Sequence, residues 1–234
     1  MKQVRQHPVD SLAAKTVAGS AWMLGGAAGR RFMQFGVHLV LARLLAPEAY
    51  DVIAIITSIL VIIQTVAELG LSVAVVQRKE LVAGAVDTAF AMTLAMAGCA
   101  AFLLVIIAEP LASFYDHPVV AHLLRVSAAI AATQLLFSLQ RALLLRAMRY
   151  RYLAAIDVVS LLVFGAGAII MASTGMGVHS VVYGRLLGAV VAAALAWWLT
   201  GYVPRGLGRL AHLRELLGFG AWVLLGRVLG RGSG

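Results

Sequence analysis

The chain is a succession of long apolar runs separated by short polar breaks. The first run extends from Thr16 to Leu45 and gives way to Ala46-Pro47-Glu48-Ala49-Tyr50-Asp51, which reads as a tight turn. The second covers Val52 to about Val76 and stops at Gln77-Arg78-Lys79-Glu80. A third runs from about Ala85 to Ala108, stops at Glu109-Pro110 and is followed by a loop over 111–118. The fourth, Val119 to about Leu139, ends in a basic segment, Gln140–Tyr152, that carries Arg141, Arg146, Arg149 and Arg151. The fifth spans Leu153–Ser173 and turns at Thr174-Gly175-Met176-Gly177 into the sixth, Val178–Thr200. Arg205, Arg209 and Arg214 then precede a seventh start at Leu216, which breaks off in Gly230-Arg231-Gly232-Ser233-Gly234. Each of the six full runs has about 20 or more residues, enough for a helix across a hydrocarbon core of about 30 Å.

The pattern predicts an all-α integral membrane fold of six transmembrane helices forming one lobe, plus the start of a seventh. It divides into a basic N-terminus (1–15), a six-helix transmembrane lobe (16–200), a basic loop (201–215) and an incomplete seventh helix (216–234). The tail of that last segment is expected to be a non-native or truncated end. No short apolar stretch with a cleavage site follows the basic N-terminus, so no removable signal peptide is expected.

Inside the first run lies a polar face. Arg30, Arg31, Gln34 and His38 fall within an arc of roughly 100° on a helical wheel, with Phe32, Phe35, Gly36 and Leu39 opposite. An arginine at bilayer depth costs roughly 2.5–3.5 kcal/mol on insertion scales. That cost is tolerable where the face looks into a wet cavity or a protein interior. The second run has a stripe of its own, since Thr57, Gln64, Glu68 and Ser72 lie within about 80° of one another. Counted from the outer turn, Arg30 lies about 22 Å down and Glu68 about 27 Å, so the two antiparallel helices bring them to similar depth. One reading is a structural ion pair that makes buried charges tolerable. The other leaves Arg30 or Arg31 free to hold an anionic substrate while Glu68 sets the local charge or takes a proton. Two arginines against one glutamate lean toward the second.

Arg185 lies near 12 Å depth in the sixth run, where it either snorkels outward or forms a second cationic point on the lumen. Arg125 reads as a snorkelling residue near Asp116, and Asp157 as a counter-charge to the arginine-rich segment. Gly184-Arg185-Leu186-Leu187-Gly188 reads as a packing face of small residues.

Composition agrees with the pattern. The chain is 62% hydrophobic and only 12% charged, with a mean hydropathy of +0.94, whereas soluble domains are about 25% charged. The net charge of +9 would suggest nucleic acid in a soluble protein. Here its distribution decides otherwise. With the N-terminus in the cytoplasm, Lys2, Arg5, Lys15, Arg78, Lys79, the arginines of 140–152 and those of 201–215 all fall on the cytoplasmic side. The opposite turns carry Glu48, Asp51, Glu109 and Asp116, with only Arg43 close to that face. This is the positive-inside distribution, so no nucleic-acid partner is called for. The lone Cys99 allows no internal disulfide, and no histidine spacing suggests a metal. Neither a nucleophile elbow nor a P-loop is present, and the outer loop with Glu48 and Asp51 is too short to build a glycosyltransferase site. The expectation is a membrane protein that is not an enzyme and takes no cofactor.

Several segments carry a likeness. Leu41-Ala42-Arg43-Leu44-Leu45-Ala46-Pro47-Glu48-Ala49-Tyr50, then Glu68-Leu69-Gly70-Leu71-Ser72 and Gln77-Arg78-Lys79, resemble bacterial polysaccharide flippases of the Wzx type. These belong to the multidrug/oligosaccharidyl-lipid/polysaccharide exporter superfamily. Asp87-Thr88-Ala89-Phe90, Ser113-Phe114-Tyr115, Leu124-Arg125-Val126 and Gly175-Met176-Gly177-Val178 continue it in order, from about Ala14 to Trp222. The chain departs from the family pattern at Asp51, where glycine is usual, and at His179, where an aromatic is expected. It also holds one lobe where family members have two.

The resemblance implies a flippase that moves lipid-linked oligosaccharide or polysaccharide precursor across the bacterial inner membrane by alternating access. It also implies a cationic lumen for the anionic headgroup, with Arg30, Arg31, Gln34, Glu68 and Arg185 as candidate substrate-binding residues. The partners implied are membrane lipids, the lipid-linked substrate, and either a missing C-terminal lobe or a second copy. Two alternatives stand beside it: a multidrug or small-molecule exporter of the same superfamily, and a truncated membrane protein that does not transport. A lumen that is net basic rather than acidic disfavours the exporter.

Overall fold

The computed structural model describes residues 28–68 and 85–202, and these contain six helices. They are α1 (28–44), α2 (Pro47–Glu68), α3 (Ala85–Phe114), α4 (Pro118–Arg146), α5 (Tyr150–Ser173) and α6 (Val178–Thr200). The basic N-terminus, Ser72, the break at Gln77–Glu80, most of the 201–215 loop and the seventh start lie outside the described residues.

Helix α2 begins earlier than the sequence suggested. The break from α1 is confined to Leu45 and Ala46, and the expected turn residues Pro47 to Asp51 belong to α2. Proline in the first turn gives up an N–H that has no intrahelical partner there, and Glu48 beside it favours the positive end of the helix. Helix α3 likewise runs through Glu109-Pro110 to Phe114 instead of stopping at Ala108. Little more than a turn follows the proline, and the Ser113 hydroxyl lies 3.0 Å from the carbonyls of both Glu109 and Pro110. Helix α4 passes its expected end at Leu139 and reaches Arg146. Gln140-Arg-Ala-Leu-Leu-Leu-Arg consists of strong helix formers, and Gln140, expected at the start of a loop, is fully buried.

Three helices end alike. His117 N–H reaches the Ala112 carbonyl (3.1 Å), Arg149 N–H that of Leu144 (3.0 Å) and Met176 N–H that of Met171 (3.2 Å). Before each comes a residue with positive φ: Asp116 (56°), Met148 (54°) and Gly175 (84°). This geometry satisfies the last carbonyls and reverses the chain within a few residues. Hence the hairpins α3–α4, α4–α5 and α5–α6 are tight.

Helix α4 is central. It lies along α3 on one side and α6 on another, with α2 resting against it, while α5 lies along α6. The main core gathers Val52, Ile56 and Leu60 of α2, Leu104 of α3, Val120, Leu123, Leu124 and Ile130 of α4, and Val182 of α6. Close contact between α5 and α6 rests on glycine. A Cβ at Gly188 would stand 2.8 Å from the Ser160 carbonyl oxygen, and one at Gly184 would stand 2.9 Å from the Ala168 Cβ. Helix α1 joins through Leu41 and Leu45, which pack on Phe164, Ala168 and Ala172 of α5 and Val181 of α6.

The outside is apolar. Phe32, Phe35, Phe102, Ile106, Ile170 and Trp198 are all exposed, which suits acyl chains and not water. Five of the helices are long and apolar enough to cross a membrane. The described residues are all-helical, and the chain is a multi-pass membrane protein.

Candidate functional site

The side of the bundle between α1, α4, α5 and α6 is hollow. A cleft of about 690 Å³ is lined by Arg30 and Gln34 of α1, Gln134 and Arg141 of α4, and Asp157 and Ser160 of α5. Apolar walls from Phe137, Phe164 and Ala192 complete it. A smaller cavity of about 230 Å³ lies nearer the end of the bundle that carries Pro47, among His38, Thr57, Gln64 and Arg185. The two share Gln34, Gln134 and Phe164, so one polar wall continues from one to the other.

In the larger cleft two guanidiniums meet one carboxylate. Arg30 lies 3.6 Å from Oδ2 of Asp157, and Arg141 donates to Oδ1 at 3.2 Å. The geometry follows from the hairpin. Arg141, six residues before the 147–149 turn, and Asp157, eight after it, come within reach across antiparallel α4 and α5, while α1 brings Arg30 to the same carboxylate. The arginine side chains remain 47% and 41% exposed while the carboxylate is 22% exposed. A guanidinium has five N–H donors in a planar fork, so one shared carboxylate leaves most of them open to the cleft.

The smaller cavity has a different balance. Arg185 donates to the Thr57 hydroxyl at 2.8 Å, and among the described residues no carboxylate pairs with it. Gln64 of α2 donates to Gln134 of α4, on the wall common to both cavities. The His38 ring meets Phe164 edge-on, 6.5 Å between centroids.

The residues singled out in the sequence are thus divided. Arg30 and Gln34 line the larger cleft, and Gln34 also reaches the smaller one, where Arg185 turns inward instead of snorkelling. Arg31 is exposed and lines neither. It stands about 100° round α1 from Arg30, on the side toward the exposed Phe35. Glu68 ends α2, and its side chain lies outside the described residues. The carboxylate that Arg30 meets is Asp157, which the sequence suggested only as a counter-charge to the basic segment. That segment does supply Arg141 as its partner. Arg125 pairs with Glu109 rather than with Asp116. His179 stacks on Tyr183 at 6.3 Å, and His122 stands 3.0 Å from the same tyrosine's hydroxyl.

Arg141, Asp157 and Gln134 are the cleft residues that sequence reasoning did not gather. For the first two the signal was present: placing the turn at 147–149 brings them within reach of each other. Gln134, a lone polar residue in an apolar run, carried none.

Comparison with known proteins gives the family. The model of a family described as polysaccharide biosynthesis protein matches residues 40–231, most of the chain. Succinoglycan biosynthesis transport protein ExoT of Rhizobium meliloti (strain 1021) is 28% identical over 207 residues, covering 88% of this chain and 42% of that protein. The chain therefore spans less than half the length of the curated relative it matches. No solved structure matches it. With a family match over most of its length and a helical membrane bundle to go with it, the chain belongs to the polysaccharide biosynthesis protein family.

Proposed function

We propose that this chain is one lobe of a transporter that flips a lipid-linked oligosaccharide or polysaccharide precursor across the bacterial inner membrane, with its N-terminus in the cytoplasm. The observation that carries the reading is the pairing of Arg30 and Arg141 with the single carboxylate of Asp157 in an open cleft of about 690 Å³. Two cations against one anion leave a positive excess. In a site with apolar walls, such an excess attracts the phosphate or acidic sugar that links lipid to glycan. Gln34, Gln134 and Ser160 add hydrogen-bond partners for sugar hydroxyls. Closing over the substrate requires a second lobe, either further chain or a second copy.

The family match and the transport relative support a polysaccharide precursor as cargo over a drug. The test is export in cells that depend on this protein. With membrane abundance held equal, the double variant Arg30→Gln/Arg141→Gln lowers surface polysaccharide at least about tenfold, as loss of two charged hydrogen bonds predicts, and lipid-linked intermediate accumulates. Unchanged export in that variant would refute the proposal.

A further inference from the structure

We infer that the 230 Å³ cavity around Arg185 is a second oxyanion subsite, specific for a phosphate-class group and separate from the Arg30–Arg141 cleft. As a second stop for the same kind of headgroup, it rests on the function proposed above.

The case begins with charge. Within the span of α6, Arg185 is half-buried and its hydrogen-bond partner is neutral, the Thr57 hydroxyl at 2.8 Å. Among the described residues no acid neutralises it. Buried cations are normally paired or hydrogen-bonded throughout. Here one donor is used on a neutral hydroxyl, and the side chain lines the cavity with further N–H groups unspent. Arg30 and Arg141 share Asp157, so the smaller cavity is the more purely cationic of the two.

The lining fits an oxyanion. Thr57 orients the guanidinium, and Gln34, Gln64 and Gln134 offer amide N–H groups from three different helices. Leu60, Val61 and Phe164 keep the remaining wall apolar, which strengthens a charged contact made inside. His38 supplies a further ring nitrogen.

Spacing separates the subsites. Arg30 and His38 lie on one helix, and at about 1.5 Å per residue their positions differ by roughly 12 Å along its axis. A phosphate held beside His38 thus lies about two helical turns from Arg30, so the stations are occupied in succession or by two groups. Gln134, bonded to Gln64, stands on the wall between them.

The test uses the full 234-residue chain in nanodiscs of neutral phosphatidylcholine. Inorganic phosphate is titrated in one arm and a polyprenyl pyrophosphate in the other, with bound equivalents counted by phosphorus NMR. The wild type binds at two sites. Arg185→Gln weakens one of them at least about tenfold and spares the other, and Arg30→Gln/Arg141→Gln does the reverse. Competition between lipid pyrophosphate and free phosphate at the Arg185 site identifies a headgroup station, and phosphate binding without competition identifies a pocket for the soluble anion.

Two sites that survive Arg185→Gln unchanged, or a wild type with only the Arg30–Arg141 site, overturn this inference and leave the proposed function intact. Loss confined to the Arg185 site, with the double variant silent, overturns the proposed function instead. Absence of binding in the wild type overturns both. Should Arg185→Gln not fold, Thr57→Val is read in its place. It frees the guanidinium from its anchor and weakens the same site several-fold, and an unchanged titration counts against the subsite.

Discussion

Replacing Asp157 by asparagine separates the two things its carboxylate does. It holds Arg30 at 3.6 Å and Arg141 at 3.2 Å, with arginine side chains 47% and 41% exposed. Pairs this open are screened and contribute about 0.2–1 kcal/mol each. The carboxylate is the less exposed partner, so the top of that range applies and losing both pairs costs about 2 kcal/mol of stability. Binding moves the other way. An anion held by the two guanidiniums would sit about 6 Å from the carboxylate, where unit charges repel by about 3 kcal/mol at an effective dielectric of about 20. Water in the open cleft halves this, leaving roughly 1.4 kcal/mol, or about tenfold in affinity. Asp157→Asn therefore unfolds earlier in a denaturant titration in lipid discs and binds polyprenyl pyrophosphate about tenfold more tightly. A purely structural ion triad predicts that both fall together. Tighter packing with unchanged or weaker anion binding would refute the reasoning.

Other consequences follow from packing and exposure. Gly188→Ala forces its Cβ within 2.8 Å of the Ser160 carbonyl oxygen and costs about 1–3 kcal/mol by overpacking, whereas Gly98→Ala, with nothing within 4 Å, gains up to about 1 kcal/mol of helix propensity; denaturant titration of both reads the contrast. Tyr202→Phe removes the hydroxyl's bond to Asp87, which ties the end of α6 to the start of α3, and costs about 1 kcal/mol. Burial first, and then that bond, raise the Tyr202 pKa above its ordinary value. Because the folded value is the higher one, the contribution is fully present below the unfolded pKa of about 10 and is lost only as pH rises through the folded value. The cost of Tyr202→Phe is therefore constant between about pH 6 and 9, and a slope there would count against the assignment. Cys99, exposed near the middle of α3, resists a charged thiosulfonate in intact bilayers and reacts fully after detergent unfolding; rapid labelling in the bilayer would mean that water reaches that face.

The number and order of the described helices were legible because a bilayer demands about 20 apolar residues per crossing, and that constraint is written in the run of apolar residues alone. Helix ends were less so. Pro47 and Pro110 both read as breaks, yet one opens a helix and the other lies within its last turns. Gln140 reads as polar and therefore as loop, yet its burial and its bond to Thr200 put it in the core. The site shows the same limit. Periodicity assigned Arg30, Gln34 and His38 to one face, and all three line the cavities. It also included Arg31, because an arc on a wheel does not say where the neighbouring helix ends. Asp157 as the partner of Arg30 needed the tertiary arrangement, since nothing in the spacing of α1 and α5 aligns them.

Gln140 also bears on how the protein is made. Its side-chain oxygen is met by the Thr200 hydroxyl at 2.7 Å, sixty residues further along. During synthesis α4 leaves the ribosome well before the end of α6 exists. Through that interval the amide has no Thr200 to meet, and burial beside α6 must wait. Membrane insertion of this bundle is thus provisional until its last described helix arrives, and a nascent chain halted before Thr200 presents quality-control machinery with an unmet amide oxygen inside a greasy helix.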